Sequence, residues 1–252
     1  MPYSPKQSGW PERLWRSNNA IDVARGNVPG TYPYNTFGEH VTAGAVSNVV
    51  VRETGMPDTL TVPDRIRLTL ASTSASDTGT LHIRYLDGDL FERTEDVVLT
   101  GTTAVNTVAN DIRAINNAYY IDGAGALGVL TGVSGGVKYL HIPIGDIQYN
   151  TSMQRVPKGK RMMITGVYAG ATSGSAAARA ILKLETSFIN GDSFAEQGIL
   201  HPVMALALQD NSQSLAGFGA LPIKAGEWFG FTASTDKSAT VVGGILGWME
   251  DE

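Results

Sequence analysis

Polar and apolar residues alternate with a period of two along much of the chain. In "DRIRLTLAS", Ile66, Leu68 and Leu70 share one side while Arg65, Arg67 and Thr69 share the other. "GTLHIRYL" repeats the pattern, with Leu81, Ile83 and Tyr85 opposite His82 and Arg84. In "ARAILKLETSFING", Ala180, Leu182 and Leu184 face away from Arg179, Lys183 and Glu185, with Ile181 an apolar exception on the polar side. Side chains of an extended chain point alternately to opposite faces, so each stretch predicts a half-buried strand. "DVVLTGTTAVNTVA", "VKYLHIPIGDIQY", "KRMMITGVYAG", "HPVMALALQD", "GEWFGFTAST" and "TVVGGILGWMED" add further extended runs. "VPKGKRMMITG" and "IKAGEWFGFTA" each place Lys and Gly in a turn just before a strand. Only "ANDIRAINNAYY", with Ile112, Ile115 and Tyr119 near helical spacing, offers a short helix or turn, and it reads equally well as a strand.

The pattern predicts an all-β, antiparallel protein built as β-sandwich or jelly-roll-like lobes. Residues 44–155 form one lobe and 156–252 a second. Residues 1–43 lack the period and carry Pro2, Pro5, Pro11, Pro29 and Pro33 among the aromatics Tyr3, Trp10, Trp15, Tyr32, Tyr34 and Phe37. Proline removes a ladder donor, so this stretch predicts an irregular N-terminal arm. Its large side chains call for burial, either on the chain's own core or on a neighbouring subunit.

Composition changes the picture by exclusion. The chain has 252 residues, 29 glycines, no cysteine and a formal net charge of −5. A negative balance argues against a nucleic-acid partner, which would call for a basic patch. The lack of cysteine excludes disulfides, a thiol nucleophile and cysteine-bound zinc. There is no signal-type apolar segment and no run of 18 or more apolar residues, so the expectation is a soluble chain made in the cytoplasm, with no membrane partner.

The densest candidate chemistry is "RYLDGDLFERTEDVVLTGTT", with carboxylates at Asp87, Asp89, Glu92, Glu95 and Asp96. A calcium loop needs oxygens converging at fixed spacing and a late Glu, which "DGDLFERTED" lacks. Asp87-Gly88 between two extended runs instead predicts a two-residue hairpin turn, with Gly88 tolerating positive φ. His40, His82, His141 and His201 lie far apart and form no metal-binding pair. "TSGSAAA" and "GAGALG" resemble phosphate loops only superficially, for neither has a strand-to-helix context. No catalytic, cofactor-binding or metal residues are assigned; the expectation is a protein that is not an enzyme and needs no cofactor.

The segment "LASTSASDTGTLHIRYLDGDLFERTEDVVLTGTTAVNT" resembles a family of virion structural proteins of tailed bacteriophages. Its carriers are Ser72, Ser74, Asp77, Thr78 and Gly79, then Leu86, Asp87, Asp89, Glu92, Glu95, Val97, Leu99, Gly101, Thr102, Thr103, Val105 and Thr107, then Arg113, Ala118 and Tyr119. "YNTSMQRVPKGKRMMIT" continues it, and the likeness spans about residues 70–165. The resemblance implies a virion protein assembled in the host cytoplasm as a homo-oligomer, with a trimer favoured, and partnered by capsid or by tail and portal components. It implies a role in capsid decoration or at the head–tail connection, and it supplies no catalytic residue. Trp10, Trp15, Tyr32, Tyr34 and Phe37 of the arm are then the expected partner-binding residues. The rival reading is a tail-associated adsorption module binding host surface glycan, for which Trp228 and Trp248 are the available aromatics.

Overall fold

The computed structural model describes residues 28–173, 178–187, 201–209 and 212–252. Among these the chain is all-β, with antiparallel pairing throughout its named strands. Strands β1 (Thr31–Thr42) and β2 (Val46–Val50) precede an inserted block of seven. That block contains β3 (Thr69–Ser72), β4 (Thr80–Leu86), β5 (Glu92–Val98), β6 (Val105–Asn106), β7 (Ala114–Tyr120), β8 (Leu130–Ser134) and β9 (Val137–Ile142). The chain continues through β10 (Gln154–Arg155), β11 (Lys160–Thr172), β12 (Arg179–Thr186) and β13 (His201–Gln209). It closes with β14 (Ser212–Ile223), β15 (Trp228–Thr235) and β16 (Ala239–Asp251).

Two lobes result, divided differently from the sequence expectation. One sandwich combines both ends of the chain: a sheet ordered β1-β16-β11-β14 packs on a sheet ordered β10-β15-β12-β13, to which β2 adds through β15. Its core joins Tyr34, Val49 and Val51 to Met162, Ile164, Leu182, Leu184, Phe229, Phe231, Ile245 and Met249. The second lobe is inserted between β2 and β10. It stacks β6-β3-β8-β9 against β5-β4-β7 over Leu68, Leu70, Leu81, Ile83, Leu130, Leu140 and Ile142. The boundary near residue 155 is therefore replaced by two crossings, because Val49 and Val51 belong with the C-terminal core rather than with the strands that follow them.

The expectation of an irregular arm to residue 43 also changes. Residues 31–42 form β1, paired along its whole length with β16 from Thr31↔Glu250 to Thr42↔Ala239. Pro33 is accommodated because β1 lies at the sheet edge, where one side of the strand needs no ladder donor. The strand begins at a turn in which Thr31 N–H donates to Val28 O at 3.3 Å. Pro29 presets the second position of that turn, and Gly30 takes φ +72, which a side chain would resist.

The 114–120 stretch is β7, not a helix: it pairs with β4, burying Ile115, Ala118 and Tyr120 in the core of the inserted lobe and Ala114 and Asn116 against residues of the terminal sandwich. Alternation holds along β4 and most of β12: Leu81, Ile83 and Tyr85 are buried, and so are Ala180, Leu182 and Leu184, while Ile181 is exposed; Glu185, expected on the polar side, is buried where the β12–β13 register shifts. The two Lys/Gly turns do precede β11 and β15, with positive φ at Gly159 and Gly226.

Candidate functional site

Three residues that carry the sequence resemblance, Ser72, Asp77 and Gly101, join Tyr120 and Gly128 in a clamp inside the inserted lobe. Asp77 is almost fully buried, and its carboxylate accepts from the hydroxyls of Ser72 at 2.8 Å and Tyr120 at 3.0 Å. Gly128 N–H approaches the same carboxylate at 3.4 Å, and Gly101 N–H donates to Asp77 O at 3.0 Å. A buried carboxylate is tolerable only when its lone pairs are matched in this way. Burial, and then the bond to Asp77, holds the Tyr120 phenol well above its ordinary range. The "GAGALG" stretch contributes Gly128 to this clamp, and Gly123 and Gly125 take positive φ, so it is a fold element.

The acidic cluster of the β4–β5 hairpin is likewise engaged by its own surroundings. Leu86 pairs with Glu92, so the connection has five residues rather than two. Asp87 Oδ1 accepts from Asp89 N–H at 3.0 Å and Phe91 N–H at 2.9 Å, and Arg93 Nε donates to Oδ2 at 2.8 Å. These bonds hold the Asp87 carboxyl below its usual range against a desolvation that pushes the other way. Positive φ falls on Leu90, at 68, and not on Gly88. The Asp87-Gly88 primed turn is thus corrected to a loop closed by the Asp87 side chain. Gly88 matters for space, since a Cβ there would meet the Arg65 guanidinium at 2.7 Å. Glu95 caps Val108 and Ala109 N–H groups, Asp96 pairs with His82 at 2.6 Å, and Asp89 lies 3.9 Å from Arg65.

The lobes meet along a polar and apolar seam. Asn116 Nδ2 donates to Arg155 O at 2.8 Å and Arg155 N–H returns to Asn116 Oδ1 at 3.0 Å, while Gln154 Nε2 donates to Asn116 O at 2.6 Å. Val50, Leu86, Ala114, Met153 and Trp228 form the apolar part. Beside it a recess of about 320 Å³, open mouth included, is lined by Arg52, Ile115, Tyr139, Tyr149, Met153 and Trp228 among others. On the far side of Arg52, Asn150 Nδ2 reaches Glu53 Oε2 at 3.3 Å and Asp146 Oδ2 at 3.5 Å. Burial pushes the Glu53 carboxyl up to about 7, opposed by the Asn150 bond.

Of the expected partner-binding residues, Trp10 and Trp15 lie outside the described residues. Tyr34 is a correction. It is buried in the terminal core and donates from its hydroxyl to Gln154 Oε1 at 2.6 Å, which removes it from any exposed surface. Tyr32 is half-buried against the same core, with Lys160 Nζ 5.5 Å from its ring centre; desolvation, then the nearby Glu92 charge, pushes its phenol up to about 12. Phe37 remains 37% exposed. Both tryptophans considered for glycan stacking are buried: Trp228 in the seam, and Trp248 with its Nε1 donating to Glu250 at 3.0 Å.

Phe37 points to the surface that residue-type reasoning missed. The side of β1-β16-β11-β14 facing away from the core carries Phe37, Val41, Val242 and Leu246 in register with Gly166, Gly170 and Gly244. Tyr168 crosses this face from β11 over Gly244, and its hydroxyl donates to Thr36 O at 3.1 Å. A Cβ at position 244 would fall 2.1 Å from the Tyr168 ring, so the glycine makes room for the tyrosine. Apolar residues on the second face of "TVVGGILGWMED" were the available signal.

Among the described residues no group of three or more His, Asp or Glu side chains could hold a metal ion. No helix among them is long and apolar enough to cross a membrane. His40 is buried with Nδ1 3.2 Å from Arg52 O, and His141 is held neutral-leaning by burial and by Lys138.

No family model matches the chain, and no curated protein matches it. Among solved structures it is similar to the CBM22-1-CBM22-2 tandem domain of Xyn10C from Paenibacillus barcinonensis, at 14% identity and TM-score 0.26, covering 89% of this chain and 94% of that one. A chain of infectious bursal disease virus, Gx strain, matches at 14% identity and TM-score 0.19, covering 88% and 80%. A chain of the T13 particle of that virus matches at 14% identity and TM-score 0.15, covering 88% and 72%. None of these scores carries a conclusion about this chain.

Proposed function

We propose that the chain is a non-enzymatic structural protein of a tailed-phage virion, acting in capsid decoration or at the head–tail connection through symmetric protein–protein assembly. The observation that carries this reading is the contrast between engaged carboxylates and exposed large apolar side chains. The hairpin and clamp carboxylates bond to neighbouring groups, whereas Phe37, Val41 and Leu246 stand exposed on one sheet face, among Asn35 and Glu39. Exposed large apolar side chains gathered on one face suit an interaction site. The resemblance over about residues 70–165 supplies the virion setting, a homo-oligomer with a trimer favoured, and capsid or tail and portal components as partners. Purified particles should contain the protein in many symmetric copies, resolved by imaging of the virion. Its absence from washed particles would overturn the reading.

A second reading, adsorption to host surface glycan from the tail, has one observation in its favour. On the outer side of β5-β4-β7, half-exposed Tyr119 lies 4.9 Å from the His82 ring, beside Asp96. An aromatic face next to a carboxylate suits a sugar ring and its hydroxyls. Binding to host polysaccharide that is lost in Tyr119→Ala would establish it; no binding in the parent would dismiss it.

A further inference from the structure

We propose that the recess beside the seam binds the acetamido group of an N-acetylated sugar. The proposal rests on the glycan reading above for the source of the ligand, and it names a place other than the Tyr119 face.

Both lobes build the recess. Leu60, Thr61 and Pro63 come from the connection between β2 and β3, Ile115 from β7 and Tyr139 from β9. Met153, beside β10, and Trp228, on β15, come from the terminal sandwich. The volume of about 320 Å³ includes the open mouth, and it lies at the low end of ligand sites, which span about 300–1,000 Å³. The enclosed part therefore takes a small substituent rather than a whole sugar ring.

One donor bordering the recess is unmatched. Trp228 is 3% exposed, and its Nε1–H is buried without an acceptor among the described residues. An indole N–H donates only, and a buried donor normally has a partner. At that burial Trp228 has no open face on which a sugar could stack. What it has left to offer is the N–H.

Charge narrows the class of acceptor. Arg52 is the one charged side chain in the lining, and its guanidinium is committed. Its Nε and Nη2 donate to Pro57 O at 3.3 and 2.7 Å, Nη2 also donates to Thr59 O at 2.8 Å, and the Tyr149 hydroxyl takes a further bond. A phosphate, carboxylate or ammonium would have to be desolvated with its counter-charge already engaged. The acceptor is therefore neutral.

The lining also distinguishes an organic group from a lone water. A buried water needs about two to four polar partners. Thr151 Oγ1 is already taken, donating to Met153 O at 3.2 Å and accepting from Met153 N–H at 3.1 Å, while Leu60, Pro63, Ile115 and Met153 are apolar. An acetamido group suits this mixture. Its carbonyl oxygen accepts from Trp228 Nε1–H, and its methyl packs on Ile115 and Met153. The ring and its hydroxyls stay at the mouth, beside the partly exposed Tyr139 and Thr61.

The test is saturation-transfer NMR on the full chain with N-acetylglucosamine, glucose and Nε-acetyllysine as probes. In the parent, N-acetylglucosamine should receive saturation most strongly at its acetyl methyl, and glucose should receive none. Trp228→Phe keeps an aromatic ring and removes the N–H, so binding should weaken about fivefold, as for one lost hydrogen bond. Thr61→Tyr fills the mouth from a loop and should abolish the transfer, which decides the matter if Trp228→Phe fails to fold. Circular dichroism compares both variants with the parent. No transfer in the parent, equal transfer to glucose, or stronger transfer to Nε-acetyllysine would each overturn the proposal. So would undiminished transfer in folded Trp228→Phe or in Thr61→Tyr. Binding to host polysaccharide that is lost in Tyr119→Ala but kept in Trp228→Phe would overturn this proposal alone and leave the adsorption reading standing.

Discussion

The inserted lobe and the terminal sandwich deploy similar sheets in opposite ways. In the inserted lobe, β5-β4-β7 has one face on the core and one face carrying His82, Asp96, Arg84 and Glu92, which pair across strands. That is the ordinary economy of an antiparallel sheet with a solvated side. In the terminal sandwich, β1-β16-β11-β14 has Val241, Ile245 and Met249 on the core side and Val242 and Leu246 on the other. Its central strand is apolar on both faces, as in sheets that are covered twice. Both lobes also bury polar groups: Asp77 in the inserted lobe, and Thr36, His40, Thr42 and Glu185 in the terminal sandwich. The comparison teaches where a partner belongs: beside the sheet whose second face exposes Phe37, Val41 and Leu246 among its polar residues Asn35 and Glu39.

The largest effect should come from breaking the inserted lobe at its clamp. Asp77→Ala leaves the Ser72 and Tyr120 hydroxyls buried without their acceptor, and should cost about 3 kcal/mol in denaturant unfolding. A cost below about 1 kcal/mol would mean that water reaches the site and that the clamp is not closed.

The matching break in the terminal sandwich is Gly243→Ala. A Cβ there meets the Phe231 ring at 3.0 Å in the space between the sheets. Overpacking should cost about 2 kcal/mol, read as a lower melting temperature. If only one of these two variants splits the melt into two transitions, the lobes differ in how far each depends on the other.

Glu53, beside the seam, gives a pH-dependent test. Its carboxyl is raised from 4.5 to about 7, so the folded protein holds the proton more tightly than the unfolded chain. Stability is therefore lost as pH rises through 4.5 toward 7, and nothing further is lost above that window. Glu53→Gln removes the loss: relative to the parent it should melt higher at pH 8, with the gap narrowing by pH 5. A gap that grows on acidification would place an unrecognised cation beside Glu53.

The smallest effect is expected on the charged outer face. His82→Ala, which removes a pair whose carboxylate is 57% exposed, should cost less than about 1 kcal/mol and should vanish in high salt. A larger cost would mean that this face, too, is covered.

Legibility in the sequence followed burial on one side. Ile83 and Leu182 were readable because their strands have one wet face, which imposes the alternation. β1 was not, because its inward positions include the buried polar residues Thr36, His40 and Thr42, of which His40 is matched by Arg52 O and Thr42 by Ala239 O on β16. β7 stayed open between helix and strand because Asn116 sits in the seam, where a polar residue is required and the alternation breaks. The hairpin tip was located correctly but misassigned: an Asp carboxylate can close a five-residue loop by accepting two backbone N–H groups, and it then imposes positive φ on Leu90. The packing of Tyr168 was hidden because it depends on which glycine lies beneath the ring, a matter of strand register that the one-dimensional pattern does not encode.

β16 is hydrogen-bonded between β1 and β11, yet it is the last strand of the chain. During synthesis, the first strand must wait for some two hundred residues to emerge before its neighbour exists, while the inserted lobe can close on itself from contiguous sequence. Joining such distant segments is a slow step governed by loop-closure entropy. Phe37 and Leu246 come to share one face only through the β1–β16 pairing, so that face is absent until β16 has been made and has paired.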